Sequence, residues 1–157
     1  GFGQALACTG LQLASATASA VNGGYYYVPH FLKEISSSDG LVCEIVNPEV
    51  RNRTISRKAS RMIAEMLESV VEKGSGKKAY IEGYRVGGKT GTAQKYENGR
   101  IAQGKYVSSF VGFFPSDNPK YLALVVVDEP KGVYYGSTVA SPYAKEIFEG
   151  IIALKNL

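Results

Sequence analysis

The chain holds a single histidine, His30, and only two cysteines, Cys8 and Cys43, which lie far apart and lack the paired spacing of a metal-ligand set. No metal and no cofactor are therefore expected. The two cysteines read as small buried hydrophobes, with a Cys8–Cys43 disulfide as the alternative. No apolar run approaches the ~18 residues that a membrane-crossing helix needs; the longest extends from Leu122 to Val127. Basic blocks and aromatic-basic stripes are missing too. The 18 basic and 14 acidic residues are scattered, leaving a net charge of +4, so no nucleic-acid partner is expected. The chain opens at Gly1 instead of methionine and has no charged-then-apolar leader, which reads as a piece of something longer.

What remains suits one domain. In 157 residues, 45% are apolar, with six Phe and eleven Tyr, enough for a real core. A helix is expected over about 9–21, capped by Thr9 and ended by Gly23-Gly24, with small residues Ala14, Ser15, Ala18 and Ser19 allowing close approach. Residues 25–35 read as extended and turn structure with a short strand. Ser36 to Gly40 is a turn-rich break, and the apolar run from Leu41 to Val46 is closed by Pro48.

A second helix follows from Ala59, Met62, Ile63, Met66, Leu67, Val70 and Val71, spaced at three- and four-residue steps and read as core. Ser56 is its expected cap and Gly74 its end, with Arg61, Glu65, Glu68 and Glu72 on the opposite face. Three strands come next. One surrounds residue 90, a loop containing the Asn98-Gly99 turn signal follows, and the others cover about 105–114 and 121–128. The unbroken Leu-Ala-Leu-Val-Val-Val of the last marks a strand covered on both faces. A final helix enters at Ser141-Pro142 and carries the stripe Ala144, Ile147, Phe148, Ile151 and Ile152. The expected class is α+β: an antiparallel sheet, a three-strand meander plus short strands, packed with a C-terminal helix and further helices.

The chemistry concentrates in Val86-Gly87-Gly88-Lys89-Thr90-Gly91-Thr92-Ala93-Gln94. Glycine inside a strand marks close approach of another backbone or a ligand. A lysine and two hydroxyls beside Gly91, on a strand with an unpaired edge, can dock an extended peptide and hold its carboxylate. Lys89-Thr90-Gly91 resembles the K-T-G element of the penicillin-recognising serine acyltransferases. The longer Gly88 to Gln94 stretch is similar to the form in class B penicillin-binding proteins, the peptidoglycan transpeptidases. Gly1-Phe2-Gly3-Gln4, Leu11-Gln12-Leu13-Ala14, Asn22-Gly23-Gly24, Gly74-Ser75-Gly76, Ser109-Phe110-Val111-Gly112-Phe113 and Ala140-Ser141-Pro142 fall in that family's order. Gly10 replaces a usual proline, and Ser137 a frequent second glycine.

The resemblance implies a partial β-lactamase/transpeptidase-like fold, residues 1–157 forming the C-terminal part of a transpeptidase domain. It also implies roles. Lys89 would help bind the anionic end of the donor peptide, and Thr90 and Thr92 would hold the carboxylate of a D-Ala-D-Ala stem peptide or a β-lactam. The Thr92 backbone N–H would be half of an oxyanion hole, and Gly91 would let the substrate backbone lie alongside. The family's nucleophile is the serine of S-x-x-K, followed by S-x-N and then K-T-G. Two local matches exist, Ser75-Gly76-Lys77-Lys78 and Ser116-Asp117-Asn118. The first lies between glycines after a helix end, the second in a strand-to-strand turn after K-T-G, so both read as loop or turn. The serine and the S-x-N element are expected upstream of Gly1, and the fragment alone is expected to be inactive.

The parent implied is a membrane-anchored, extracytoplasmic D,D-transpeptidase acting with the missing half of its domain and with cell-wall synthesis proteins. The alternatives are a non-catalytic penicillin-fold sensor or scaffold, and a β-lactamase or D,D-carboxypeptidase using water as acceptor. One tension stands. Period-two alternation puts Thr90 and Thr92 on one face and Lys89 on the other, whereas the implied mechanism brings all three to one cleft.

Overall fold

The computed structural model describes residues 7–157, so the Gly1-Phe2-Gly3-Gln4 stretch lies outside the described residues. Twelve elements follow in order: α1 (Gly10–Val21), β1 (Tyr25–Tyr27), β2 (Glu34–Ser36), β3 (Val42–Ile45), β4 (Val50–Arg53), α2 (Arg57–Lys73), a 3-10 turn (Lys77–Ala79), β5 (Gly87–Glu97), β6 (Arg100–Phe114), β7 (Tyr121–Asp128), α3 (Gly136–Val139) and α4 (Ser141–Lys155). Strands β5, β6 and β7 form an antiparallel sheet in that order, and the pairs β1–β4 and β2–β3 are separate two-stranded ladders. The α+β meander expected from the sequence is the observed architecture. Among the described residues, no helix is long and apolar enough to cross a membrane.

Local chemistry places the helix ends. Thr9 caps α1 through a capping box with Gln12, each side chain binding the other's backbone N–H. Ser56 caps α2 by accepting from the Ala59 N–H, and Gly74 ends it. The loop expected around Asn98-Gly99 is instead a two-residue hairpin. Asn98 and Gly99 both have positive φ, 52° and 76°, the backbone of a tight turn whose twist matches its strands. Strand pairing therefore continues through Glu97 and Arg100, and the strands are longer than the sequence pattern suggests.

The sheet buries both faces. On one, Phe110, Phe114 and Ala123 pack with Ala140, Ala144 and Phe148 of the C-terminal segment, Phe114 meeting Phe148 edge-on at 4.9 Å. On the other, Phe113 packs with Val21 of α1 and Ala64 of α2, with Ile63, Leu67 and Leu122 around them. Directly opposed residues share a face. Thr90 and Thr92, opposite Phe110 and Ser108, therefore lie on the α4 side, and Lys89, opposite Val111, on the α2 side.

Helix α2 is rotated from the expected phase. Its buried line is Ser60, Ala64, Glu68 and Val71. Met62 and Met66, expected in the core, are 46% and 59% exposed, and Glu68, expected on the solvent face, is buried. Two interactions explain the turn. Small Ala64 lets the helix approach Phe113, and Glu68 is drawn inward by a bidentate contact with Arg85, whose Nε and Nη2 donate at 2.7 and 2.8 Å. The Ser116 hydroxyl donates to the same carboxylate at 2.6 Å, and Asp117 takes the third guanidinium nitrogen at 3.1 Å. Arg85 lies two residues before the start of β5, so this clamp ties α2 and the β6–β7 turn to the entry of that strand. Cys8 and Cys43 also depart from expectation, both being free and exposed. They lie on segments with little packed over them, the β3 strand being exposed throughout.

The Arg85 contact, reinforced by the Ser116 hydroxyl, holds the Glu68 carboxyl below its usual range against the opposing effect of burial. Its ionised form thus contributes stability above the unfolded pKa of about 4.3, and that contribution is lost as pH falls through the lower folded value. Replacing Glu68 by Gln should cost about 2 kcal/mol at pH 7 and flatten the fall in Tm between about pH 5 and 3. Calorimetry across that range checks it, and an acid limb parallel to wild type would contradict it. Phe148→Ala should cost about 4 kcal/mol, read from denaturant melts, because the ring is fully buried against Phe114.

Candidate active-site wall

Strand β5 ends the sheet order, so one of its edges pairs with β6 and the other has no strand partner among the described residues. The direction of its backbone groups follows from α3. A Cβ built on Gly136 would fall against the carbonyl oxygens of Gly91 and Ser109 together, with the Ser109 N 3.2 Å away. Gly91 and Ser109 face each other in the register, so their polar groups point toward one another between the strands. Backbone direction alternates along a strand, and the N–H and C=O groups of Thr90 and Thr92 consequently point to the open edge.

The side chains meet there as well. Lys89 starts from the α2 face, yet its Nζ donates to the Thr90 carbonyl oxygen at 2.9 Å, curling around the strand onto the open edge. The ammonium, the Thr90 carbonyl and the outward amides thus share one edge despite the alternation of Cβ directions, which resolves the geometric tension in the sequence. No carboxylate among the described residues pairs with Lys89, as is true of most lysines here, so its ammonium is free to meet an external anion.

Each threonine is held from outside the strand. The Gly136 N–H donates to the Thr92 hydroxyl oxygen at 3.0 Å, occupying one acceptor site and leaving the hydroxyl proton to donate elsewhere. The Thr90 hydroxyl shares a 3.0 Å hydrogen bond with the Ser75 hydroxyl. Gly136 must be glycine because any side chain would enter the β5–β6 backbone. Gly91 is different: its Cβ would meet chiefly the movable Ser109 hydroxyl, 2.5 Å away. Its packing constraint therefore comes from the neighbouring strand.

Tyr134 and Tyr135, just before Gly136, extend the wall. Tyr134 stacks on Tyr106 at 3.9 Å between centroids, and its carbonyl accepts from the buried Ser108 hydroxyl. The neighbouring Tyr135 hydroxyl pushes the Tyr134 pKa up to about 12.

The two local motif matches separate. Ser116 and Asp117 of Ser116-Asp117-Asn118 are used in the Glu68–Arg85 clamp, beyond the start of β5. Ser75 of Ser75-Gly76-Lys77-Lys78 sits on a bend before the 3-10 turn, and its hydroxyl meets Thr90 and no lysine. Sequence reasoning dismissed that serine as loop and missed its place beside the wall. The signal was the order Gly74-Ser75-Gly76 ahead of Lys89-Thr90-Gly91. Gly136 was visible only through its neighbour Ser137. Among the described residues, no cluster of His, Cys, Asp and Glu is arranged to hold a metal.

Comparison with known proteins agrees with this geometry. A family model described as the penicillin binding protein transpeptidase domain matches residues 1–149. Stage V sporulation protein D of Bacillus subtilis is 43% identical over 148 residues, 93% of this chain and 23% of that protein. The probable peptidoglycan D,D-transpeptidase PenA of Neisseria gonorrhoeae is 35% identical over 151 residues, 95% of this chain and 24% of that protein. Penicillin binding protein 3 of Mycobacterium tuberculosis, solved in complex with ampicillin, has a TM-score of 0.85 at 28% identity, with 99% of this chain and 36% of that one covered. The chain spans 23% and 24% of the length of the two curated relatives. With the Lys89-Thr90-Gly91-Thr92 wall on an open sheet edge, these matches place the chain in the penicillin-binding protein transpeptidase family.

Proposed function

We propose that this chain supplies the substrate-binding wall of a serine D,D-transpeptidase that cross-links peptidoglycan stem peptides and is acylated by β-lactams. The observation that carries the reading is the convergence at one strand edge of the unpaired Lys89 ammonium, the Thr92 hydroxyl and the outward Thr92 N–H. An extended D-Ala-D-Ala peptide, or a β-lactam in its place, pairs its backbone with the free edge of β5. Its terminal carboxylate takes hydrogen bonds from the Thr90 and Thr92 hydroxyls, in the field of Lys89.

The Thr92 N–H then faces the scissile carbonyl as one donor of an oxyanion hole. Such a donor is worth on the order of 3 kcal/mol of barrier. The nucleophile is a serine outside this chain: Ser75 has no basic partner, and Ser116 is committed to Glu68. Acyl transfer then runs through a serine ester, with the substrate's terminal D-Ala leaving and the amine of a second stem peptide accepting the acyl group. By this reading the parent works outside the cytoplasmic membrane, anchored to it, beside other cell-wall synthesis proteins. The names of PenA and similar relatives support the reaction class.

Intact mass after incubation with benzylpenicillin tests the reading. The full-length protein should gain one covalent adduct and the 157-residue chain none; an adduct on the short chain would place the nucleophile within it. Lys89→Ala in the full-length protein should slow acylation on the order of 10²-fold, measured by stopped-flow or mass spectrometry. Unchanged acylation would remove Lys89 from the site. Product analysis with an amine acceptor should give the cross-linked amide, and hydrolysis alone would point to a carboxypeptidase or β-lactamase.

A further inference from the structure

Ser75 is a polar group beside the wall that the function above leaves unused. Its position is tightly set. The N–H groups of both Gly74 and Gly76 donate to the Val70 carbonyl at the end of α2, at 3.1 and 3.0 Å. A Cβ at Gly74 would lie 2.9 Å from that oxygen, and one at Gly76 only 3.2 Å from it and from Val71 Cγ2. Glycines on both sides therefore let the chain fold flat against the helix end. The residue between them projects its hydroxyl to the Thr90 hydroxyl, 3.0 Å away.

We propose that Ser75 is a positioning residue for carboxylate recognition, acting through Thr90. The proposal rests on the reading of β5 as the substrate wall. Two hydroxyls that share one hydrogen bond use one of their two protons. With Ser75 donating within the pair, the Thr90 proton is left to donate outward. Ser75 thus fixes the Thr90 rotamer and keeps a donor aimed at an anion. Gly136 does the same for Thr92 from the other side, by filling an acceptor site. The wall therefore presents two oriented O–H donors, each held by a group outside the strand, so less rotamer entropy is lost when a carboxylate arrives.

The test uses the full-length protein and the second-order constant of acylation by benzylpenicillin, for wild type, Ser75→Ala, Thr90→Val and the double variant, with Ser75→Thr as rescue. Ser75→Ala should lose about 10-fold, the scale of one hydrogen bond to a charged ligand. The double variant should be no slower than Thr90→Val alone, and Ser75→Thr should recover most of the rate. The penicillin methyl ester, which lacks the anion, should react with Ser75→Ala and wild type at similar rates, which separates positioning from a fault in folding. Multiplying losses in the double variant, or an equal loss with the ester, would overturn the proposal. A Ser75→Ala rate within twofold of wild type while Thr90→Val is slow would overturn it and leave the wall intact. Wild-type protein that forms no adduct, or Thr90→Val that acylates normally, would overturn the wall and the proposal together.

Discussion

An edge strand presents a row of unpaired N–H and C=O groups, which in water will pair with any extended chain of suitable register. In this domain β5 keeps such an edge at the residues that carry its charge and hydroxyls. The strand can stay straight and open only if it is held from every other side. Strand β6 pairs with it along its inner edge, α2 and α4 cover the two faces of the sheet, and α3 lies over the β5–β6 seam. The polar groups proposed to bind substrate then stand on a rigid element, where their directions follow from backbone alternation.

The supports come from distant parts of the chain. The Glu68–Arg85–Ser116 network fixes the start of β5 and joins α2 to the β6–β7 turn. The Gly74-Ser75-Gly76 bend reaches Thr90, and the segment from Tyr134 to Gly136 reaches Thr92. The contacts to Thr90 and Thr92 are single hydrogen bonds, each with a net worth of order 1 kcal/mol. Together they set which protons the wall offers. A polar site of this kind depends on donors and acceptors already occupied in the right sense, and the Gly136 N–H on the Thr92 oxygen is the clearest case. Ser60 is a further structural use of hydroxyl chemistry, accepting from the Gly23 N–H where α1 meets α2.

Much of this was legible in the sequence because local rules decide it. Thr9, Ser56 and Gly74 mark helix ends through caps that require particular side chains, and the strand 121–128 announces itself by an unbroken apolar run. What escaped depends on partners distant in sequence. The phase of α2 is set by Arg85, 17 residues from Glu68, which outweighs the apolar spacing that favoured Met62 and Met66. Strand β4, polar and exposed, exists because it pairs with β1, where Arg53 also covers the Tyr25 ring at 5.2 Å. Seven contiguous residues identified the wall. Its two supports, Ser75 and Gly136, could be placed only once the bend and α3 were seen lying against β5.

Residue-resolved amide hydrogen exchange on the protein, free and with a β-lactam bound, tests the open edge most directly. The Gly91 amide, turned toward β6, should be protected in both states. The Thr92 amide should exchange quickly in the free protein and slow markedly on binding, as its N–H takes the ligand carbonyl. A Thr92 amide already protected in the free protein, or unaffected by ligand, would contradict an open, substrate-pairing edge at β5.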